Sequence, residues 1–530
     1  MTASPDEYVL ALDLGTSGCK AALVDMHGTV HSWESEDVET LILPGGGAEQ
    51  RPQDWIRAIL TASKRLVGRF DSPQKIKAIC PNTQGEGTVP IGEDREPLSN
   101  AILWMDTRGS DLVRQNLGGA INVAGYSASK ILQYLRITGG APSLTGKDQV
   151  GHIMFIRDQW PDIYSKTYKF LSVLDYLLLQ FTGRYVSSYD MSVTTWITDN
   201  RDSTSISYND KLCNLIGVDK NQFPKLVPST EIVGTLAESI AAEIGLSADC
   251  KVVAGAMDTS AAAVGSGAVS DGDPHIYLGT SSWMGAHVPY KKTDIISSIA
   301  SIPCAIPGKY LMTALQATAG GNLTFLRDKV LRGDDPVNNI KDISSIFDTF
   351  NVLVEASKPG AKGMMYTPWI YGERAPIEDP DIRASLHNIS LNHTRADMVR
   401  AVFEGVALNT RWLLGPMEKF LGGACESIAV VGGGAKSDAW CQIFADVMDR
   451  PIRQIEDPIG ANVRGSAYVA SVALGHITFD DIPKLTKTRK IFEPSQQYKE
   501  LYDFHFREFQ NLYKAHKKIC RRLNQFHKKA

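Results

Sequence analysis

Nothing in the cysteine pattern of this 530-residue chain points to a zinc ion or a disulfide framework. Its eight cysteines (19, 80, 213, 250, 304, 425, 441 and 520) are scattered, and none forms a C-x-x-C pair. Free thiols in a reducing cytoplasm are the expectation. An excess of charge of one sign is also lacking. The formal net charge of −4 gives no basic footprint for nucleic acid. No apolar stretch approaches the roughly 18 residues needed to cross a bilayer. Residues 1–7 are polar, and the apolar run after them meets Asp13 after five residues, so no secretory leader is expected. These absences predict a cytoplasmic protein with neither nucleic acid nor membrane as a partner. Two nucleotide motifs are missing as well. There is no G-x-x-x-x-G-K-[ST] loop and no G-x-G-x-x-G fingerprint. Any nucleotide site must use another scaffold.

What is present is a globular composition, 43% hydrophobic and 22% charged, in a chain long enough for two domains or more. The most informative stretch is Tyr8-Val-Leu-Ala-Leu-Asp-Leu-Gly-Thr-Ser-Gly-Cys-Lys20. It begins as a buried strand, breaks into a polar turn at residues 13–18 and resumes as the apolar run Ala21-Ala22-Leu23-Val24. That pattern predicts a hairpin whose turn faces a ligand. Gly15 and Gly18 let backbone N–H groups approach phosphate oxygens, and Thr16 and Ser17 add hydroxyl donors. Asp13 would repel phosphate directly, so a bridging Mg²⁺ is its natural partner. The same residues would also make an ordinary hairpin with a capping Asp.

The pattern recurs. Residues 28–34 complete a meander with the first two strands, residues 52–69 carry helical periodicity, and 76–80 and 87–91 read as strands. A second unit is expected to begin near Lys251. Val252-Val253-Ala254-Gly255-Ala256-Met257-Asp258 reads as a strand entering a small-residue turn, followed by a tightly packed helix over 259–269. Strands over 274–278 and 285–288 flank the turn Gly279-Thr280-Ser281-Ser282. A third turn, Gly432-Gly433-Gly434-Ala435, follows the buried strand 427–431 and precedes a helix over 439–448. A strand feeding a glycine turn and a helix N-terminus suits a nucleotide. From Tyr498 the chain is rich in Lys, Arg and His with interleaved aromatics, which predicts a helix docked on the body.

With these turns in order, the chain resembles the FGGY carbohydrate kinases of the actin, sugar-kinase and Hsp70 superfold, from residue 8 to about 475. Leu12-Asp13-Leu14-Gly15-Thr16-Ser17-Gly18 matches the first phosphate motif and Gly255-Ala256-Met257-Asp258 the catalytic-base motif. Tyr277-Leu278-Gly279-Thr280-Ser281-Ser282 matches the second phosphate motif, and residues 432–451 the adenosine motif. Tyr371-Gly372-Glu373-Arg374-Ala375-Pro376 and Arg400-Ala401-Val402-Phe403-Glu404-Gly405-Val406 look most like the xylulokinase branch. The resemblance implies an α/β protein of two RNase H-like domains around a central cleft. Residues 1–254 would form the sugar-binding side, 255–490 the nucleotide side, and 491–530 the docked basic helix. It implies transfer of the γ-phosphoryl group of ATP, with Mg²⁺, to a hydroxyl of a ketose or polyol. The oligomeric state is left open, with a homodimer allowed.

Residue by residue, the resemblance makes Asp258 the general base and a substrate contact, although an Asp before Thr259-Ser260-Ala261 would also cap a helix. Asp13 would hold the metal. Thr16, Ser17, Gly279 and Thr280 would meet phosphates, with Lys20 a weaker candidate. Gly320, Gly434, Ala435 and Asp438 would line the nucleotide. Gln84, Glu86, Trp104 and Trp283 would meet the acceptor, and Asp106 would contact it or only hold its loop. The acceptor side departs from the family pattern. Gly85 stands where glycerol kinases carry Arg, which argues against glycerol. Glu86 stands where xylulokinases carry His, and His152 either takes the place of a family Lys or is a core or surface histidine. The nucleotide side is nearly intact, so the changes point to a less common acceptor.

Overall fold

The computed structural model of the protein describes residues 7–123, 125–331 and 346–527. Its first sheet grows from the opening meander of β1 (Tyr8–Leu14), β2 (Gly18–Asp25) and β3 (Val30–Asp37). β4 (Ile76–Thr83) runs parallel to β1. β5 (Ile232–Thr235) and β6 (Lys251–Val253) extend the order to β5-β6-β4-β1-β2-β3, and β7 (Ala256–Met257) pairs with the far end of β4. The strand leading to Asp258 therefore closes the first sheet instead of opening a second unit. Sheet pairing carries the first sheet to Met257, three residues past the expected division at 254/255.

β1 is apolar without alternation because both faces are covered. Leu10, Leu12 and Leu14 pack with Trp55, Ile59 and Leu66 of α1 (Pro52–Val67). Val9 and Ala11 pack on the opposite face with Val463 and Ala467. That second face is covered jointly by α3 (Asp258–Gly265) and α7 (Ala461–Ala473). These two helices cross in backbone contact. A Cβ on Gly265 would lie 1.8 Å from the Ala461 carbonyl oxygen, and one on Gly465 would lie 1.9 Å from that of Ala261. α3 stops short of the expected 269 because Gly267 turns left-handed, at φ +79°.

The second sheet has the order β10-β11-β12-β9-β8-β13-β14-β15. These strands are β8 (Pro274–Leu278), β9 (Ser282–Val288), β10 (Thr293–Asp294), β11 (Ile299–Pro303), β12 (Tyr310–Gln316), β13 (Ile428–Val431), β14 (Ile452–Ile455) and β15 (Thr488–Phe492). Its core is built with α5 (Arg395–Leu421) and α6 (Asp438–Met448), including the buried Trp369, Phe403, Trp440 and Phe444. The terminal helix α8 (Lys499–His527) packs on this body. Tyr502 and Phe509 are buried, the Tyr502 hydroxyl donates to Glu404 at 2.8 Å, and Arg411 pairs with Asp503. No helix among the described residues is long and apolar enough to cross a membrane.

Candidate active site

The fold brings the carboxyl ends of β1, β4 and β7 to one place. Asp13 sits near the end of β1, opposite Asn82 of β4 and Lys20 of β2. Asp258 is the first residue of α3, so it follows the N-cap position, which Met257 occupies. Its Oδ1 accepts the Thr259 N–H at 2.7 Å. Burial, then the charge of Asp13, push Asp258 up to about 7, against the Thr259 hydrogen bond. Burial also raises Asp13, opposed by Lys20 and by the Asn462 amide, which donates to Asp13 Oδ1 at 3.3 Å. Asn462 Oδ1 beside it is buried and finds no partner among the described residues. Two under-compensated carboxylates and an orphaned amide oxygen fit a divalent cation. Among the described residues no group of three His, Cys, Asp or Glu is arranged to hold a metal. Such a sparse oxygen set suits Mg²⁺, which keeps waters and takes phosphate ligands.

The first turn is tight because a Cβ on Gly18 would come within 2.5 Å of the Glu36 carbonyl oxygen on β3. Ser17 is exposed at its tip, whereas Thr16 is turned toward the acceptor side. The Thr16 hydroxyl donates to Gln84 Oε1 at 2.9 Å and accepts the Trp104 indole N–H at 3.0 Å. Gln84 donates onward to Gln50 Oε1 at 3.0 Å, and Gln50 returns a bond to the Thr16 carbonyl at 2.6 Å. Thr16 was expected on phosphate, but in this structure its hydroxyl proton is committed to Gln84. Lys20 reaches across to the Ile459 carbonyl at 3.2 Å.

The second turn is clasped by the start of α4 (Gly320–Phe325). Gly320 N–H donates to Gly279 O at 2.9 Å, and Ala319 and Gly321 donate to Thr280 O at 2.9 and 3.0 Å. The clasp needs glycine, since a Cβ on Gly320 would stand 2.7 Å from Gly279 O. Thr280 is left exposed at the tip. The third turn packs on the second: a Cβ on Gly432, at φ +91°, would meet the Leu278 carbonyl oxygen at 2.7 Å. Gly433 is exposed, with open space where a Cβ would stand. Gly434 lies against Trp440 and Leu278, and buried Ala435 accepts the Gln454 amide through its carbonyl at 2.6 Å. Asp438 opens α6, but its carboxylate is already engaged by Arg489, Lys490 and Gln454. Burial opposes ionisation there, yet those bonds hold it below the usual carboxylate range.

On the acceptor side, Glu86 adopts a left-handed backbone, φ 59°, and its carboxyl meets that of Asp148. Burial, then the Asp148 charge, raise Glu86 to about 8, against Arg374 and Lys147, and burial raises Asp148 as well, so the pair disfavours carrying two charges. Asp148 precedes α2 (Gln149–Gln159) and accepts the Ser143 N–H. Sequence reasoning missed Asp148 and Arg374 because they lie far from residue 86 in the chain. Trp104 is partly buried through its bond to Thr16. Trp283 is buried and stacks on Tyr277 at 4.0 Å between centroids. Asp106 braces its own loop, accepting from Ala48 N, Arg108 N and Arg108 Nε, each at 2.9 Å. His152 is a core residue whose Nδ1 meets Thr88 Oγ1 at 2.9 Å. Burial pushes it down to about 4, so it supplies no cation near neutral pH.

Three glycine turns and two carboxylates thus converge where two RNase H-like units meet. Residues 8–265 match the N-terminal domain of the FGGY family of carbohydrate kinases, and residues 275–474 match the C-terminal domain. The chain belongs to this family. It is an ATP-dependent sugar kinase of two α/β domains. A xylulose kinase of Staphylococcus epidermidis is 29% identical over 97% of this chain and 98% of its own length. A gluconokinase of Bacillus subtilis is 24% identical over 90% of this chain and 89% of its own. The crystal structure of gluconate kinase from Lactobacillus acidophilus superposes with a TM-score of 0.83 over 96% of this chain and 98% of that one, at 22% identity.

Proposed function

We propose that this kinase transfers the γ-phosphoryl group of MgATP to a hydroxyl of a ketose such as D-xylulose, with Asp258 as the general base. The observation that carries the reading is the Asp258 carboxylate, recessed at the cleft and pushed up to about 7, where a proton acceptor works best near neutral pH. Phosphoryl transfer asks the protein mainly for positioning and charge neutralisation. Asp13 and the Asn462 amide oxygen would hold Mg²⁺, through water, to neutralise the β- and γ-phosphates. Ser17, Gly279 and Thr280 would contact the phosphates, with Gly320, Gly434, Ala435 and Asp438 along the nucleotide. Thr16 would serve both sides, its hydroxyl orienting Gln84 and Trp104. Glu86 would accept from acceptor hydroxyls when ionised, or donate to them when protonated. Trp283 would bound the acceptor's carbon chain from behind Tyr277.

The xylulose kinases among the relatives support a ketose. The gluconokinases, together with Arg374 and Lys147 beside Glu86, favour a sugar acid as the second reading. An ADP-release assay at saturating MgATP, run across pentuloses, hexuloses, polyols and sugar acids, decides between them. A ketose giving the highest kcat/KM supports the first reading, and a sugar acid giving it overturns the ketose in favour of the second.

A further inference from the structure

The segment after residue 186 belongs to none of the motifs that mark the site, yet it backs the candidate base. Asp190 is fully buried there, with both oxygens bonded. Oδ1 accepts from the Ser188 hydroxyl at 2.6 Å, the Met191 N–H at 2.9 Å and the Ser229 hydroxyl at 3.1 Å. Oδ2 accepts the backbone N–H of Met257 at 2.8 Å. Met257 immediately precedes Asp258. Its sulfur is also the floor of the acceptor loop, since a Cβ on Gly85 would come within 2.8 Å of it. Thr194, three residues beyond Met191, lines the same spot, its Cγ2 3.8 Å from that position, and its hydroxyl is fixed on the Met191 carbonyl at 2.8 Å.

None of the four groups bonded to Asp190 is a cation. A buried carboxylate so placed costs stability, and a well-packed neutral residue would join the segments more cheaply. What a carboxylate uniquely provides is acceptor capacity on two oxygens, enough for four donors converging from three stretches of chain. We propose that Asp190 is a positioning residue. It fixes the backbone from which Asp258 projects and on which the loop of Glu86 rests, and so holds base and acceptor in register.

This inference rests on Asp258 being the base, and the experiment separates the two. Asp190→Asn and Asp258→Asn are compared with the wild type in steady-state ADP release, with KM for ATP and for the preferred acceptor measured for each. Asparagine at 190 keeps the volume but turns a donor toward N–H and O–H groups. The expected result is a kcat lower by about 10- to 100-fold, as for a catalytic group displaced by about 1 Å, with KM for ATP within about twofold of wild type. Wild-type kcat in Asp190→Asn beside an inactive Asp258→Asn overturns the anchor and leaves the base standing. Wild-type turnover in Asp258→Asn overturns the base and the anchor with it. A parallel change in both KM values and in kcat marks a merely structural role and also overturns the inference. Should Asp190→Asn fail to fold, the double variant Ser188→Ala with Ser229→Ala loosens Oδ1 alone. A several-fold loss of kcat at constant KM for ATP then supports the anchor, and an unchanged kcat overturns it.

Discussion

Asp258→Asn should make the protein more stable while removing its activity. Asp258 titrates at about 7 in the fold against an ordinary 3.8, because burial and the neighbouring Asp13 charge disfavour its ionised form. A raised carboxylate contributes stability that is present below the ordinary value and lost as pH climbs through the folded value. The wild type therefore gives up stability between about pH 4 and 7, whereas asparagine, still able to accept the Thr259 N–H, does not. The shift is roughly three units, an upper bound of about 4 kcal/mol, and solvent reaching the cleft screens this to about 2 kcal/mol. For a chain of this size that corresponds to a rise in Tm of about 2 °C. The assay is thermal melting from pH 4 to 9 without nucleotide or divalent ions. The advantage of Asp258→Asn should be small at pH 4, grow to pH 7 and level off above. An advantage independent of pH, or a loss of stability at pH 8, would refute the electrostatic account.

The same charge arrangement predicts a kcat/KM that rises with pH through an apparent value near 7, a property of the interacting Asp13 and Asp258 carboxylates, with the rise moving to lower pH as Mg²⁺ increases. Asp13→Asn should raise the Mg²⁺ concentration needed for half-maximal ADP release by at least about tenfold, with acceptor KM little changed; an unchanged Mg²⁺ requirement would remove Asp13 from the metal site. Glu86→Gln keeps a donor toward Asp148 but loses an acceptor oxygen for substrate hydroxyls, so acceptor KM should rise about 10-fold at constant ATP KM, read from the same assay. Gly465→Ala should destabilise by about 3 kcal/mol or more, because its Cβ would lie 1.9 Å from the Ala261 carbonyl oxygen. Denaturant melts check it, and a neutral result would contradict the close helix crossing.

The parts of this molecule legible in the sequence were those carried by local chemistry. The run 8–12 announces a buried strand, and the polar turn after it a ligand loop, because backbone approach to phosphate needs glycine. The same logic found the turns at Gly279 and Gly432, and Asp258 at the end of its strand. What the sequence hid were partners made by folding. Ala256 and Met257 belong to the first sheet only because β7 pairs with β4, and Asp258 follows them as the first residue of α3. Asp148 and Arg374 meet Glu86 from distant loops, and Asp438 is claimed by Arg489 and Lys490 of β15. Thr16 looked like a phosphate donor because hydroxyl and glycine stand side by side, and only the tertiary approach of Gln84 and Trp104 redirects its proton. Asp190 sits in a run of Ser, Tyr and Met that carries no motif, and its bonds to Ser229 and to Met257 N–H are made only by folding.

The most direct test of the whole account is acceptor-dependent ADP release by the wild type and by Asp258→Asn, at saturating MgATP, across the ketose, polyol and sugar-acid panel. The account predicts fast release only when a ketose is present, and its loss by at least about 100-fold in the variant with ATP binding retained. Release that ignores the acceptor, or that survives in Asp258→Asn at the wild-type rate, would contradict it.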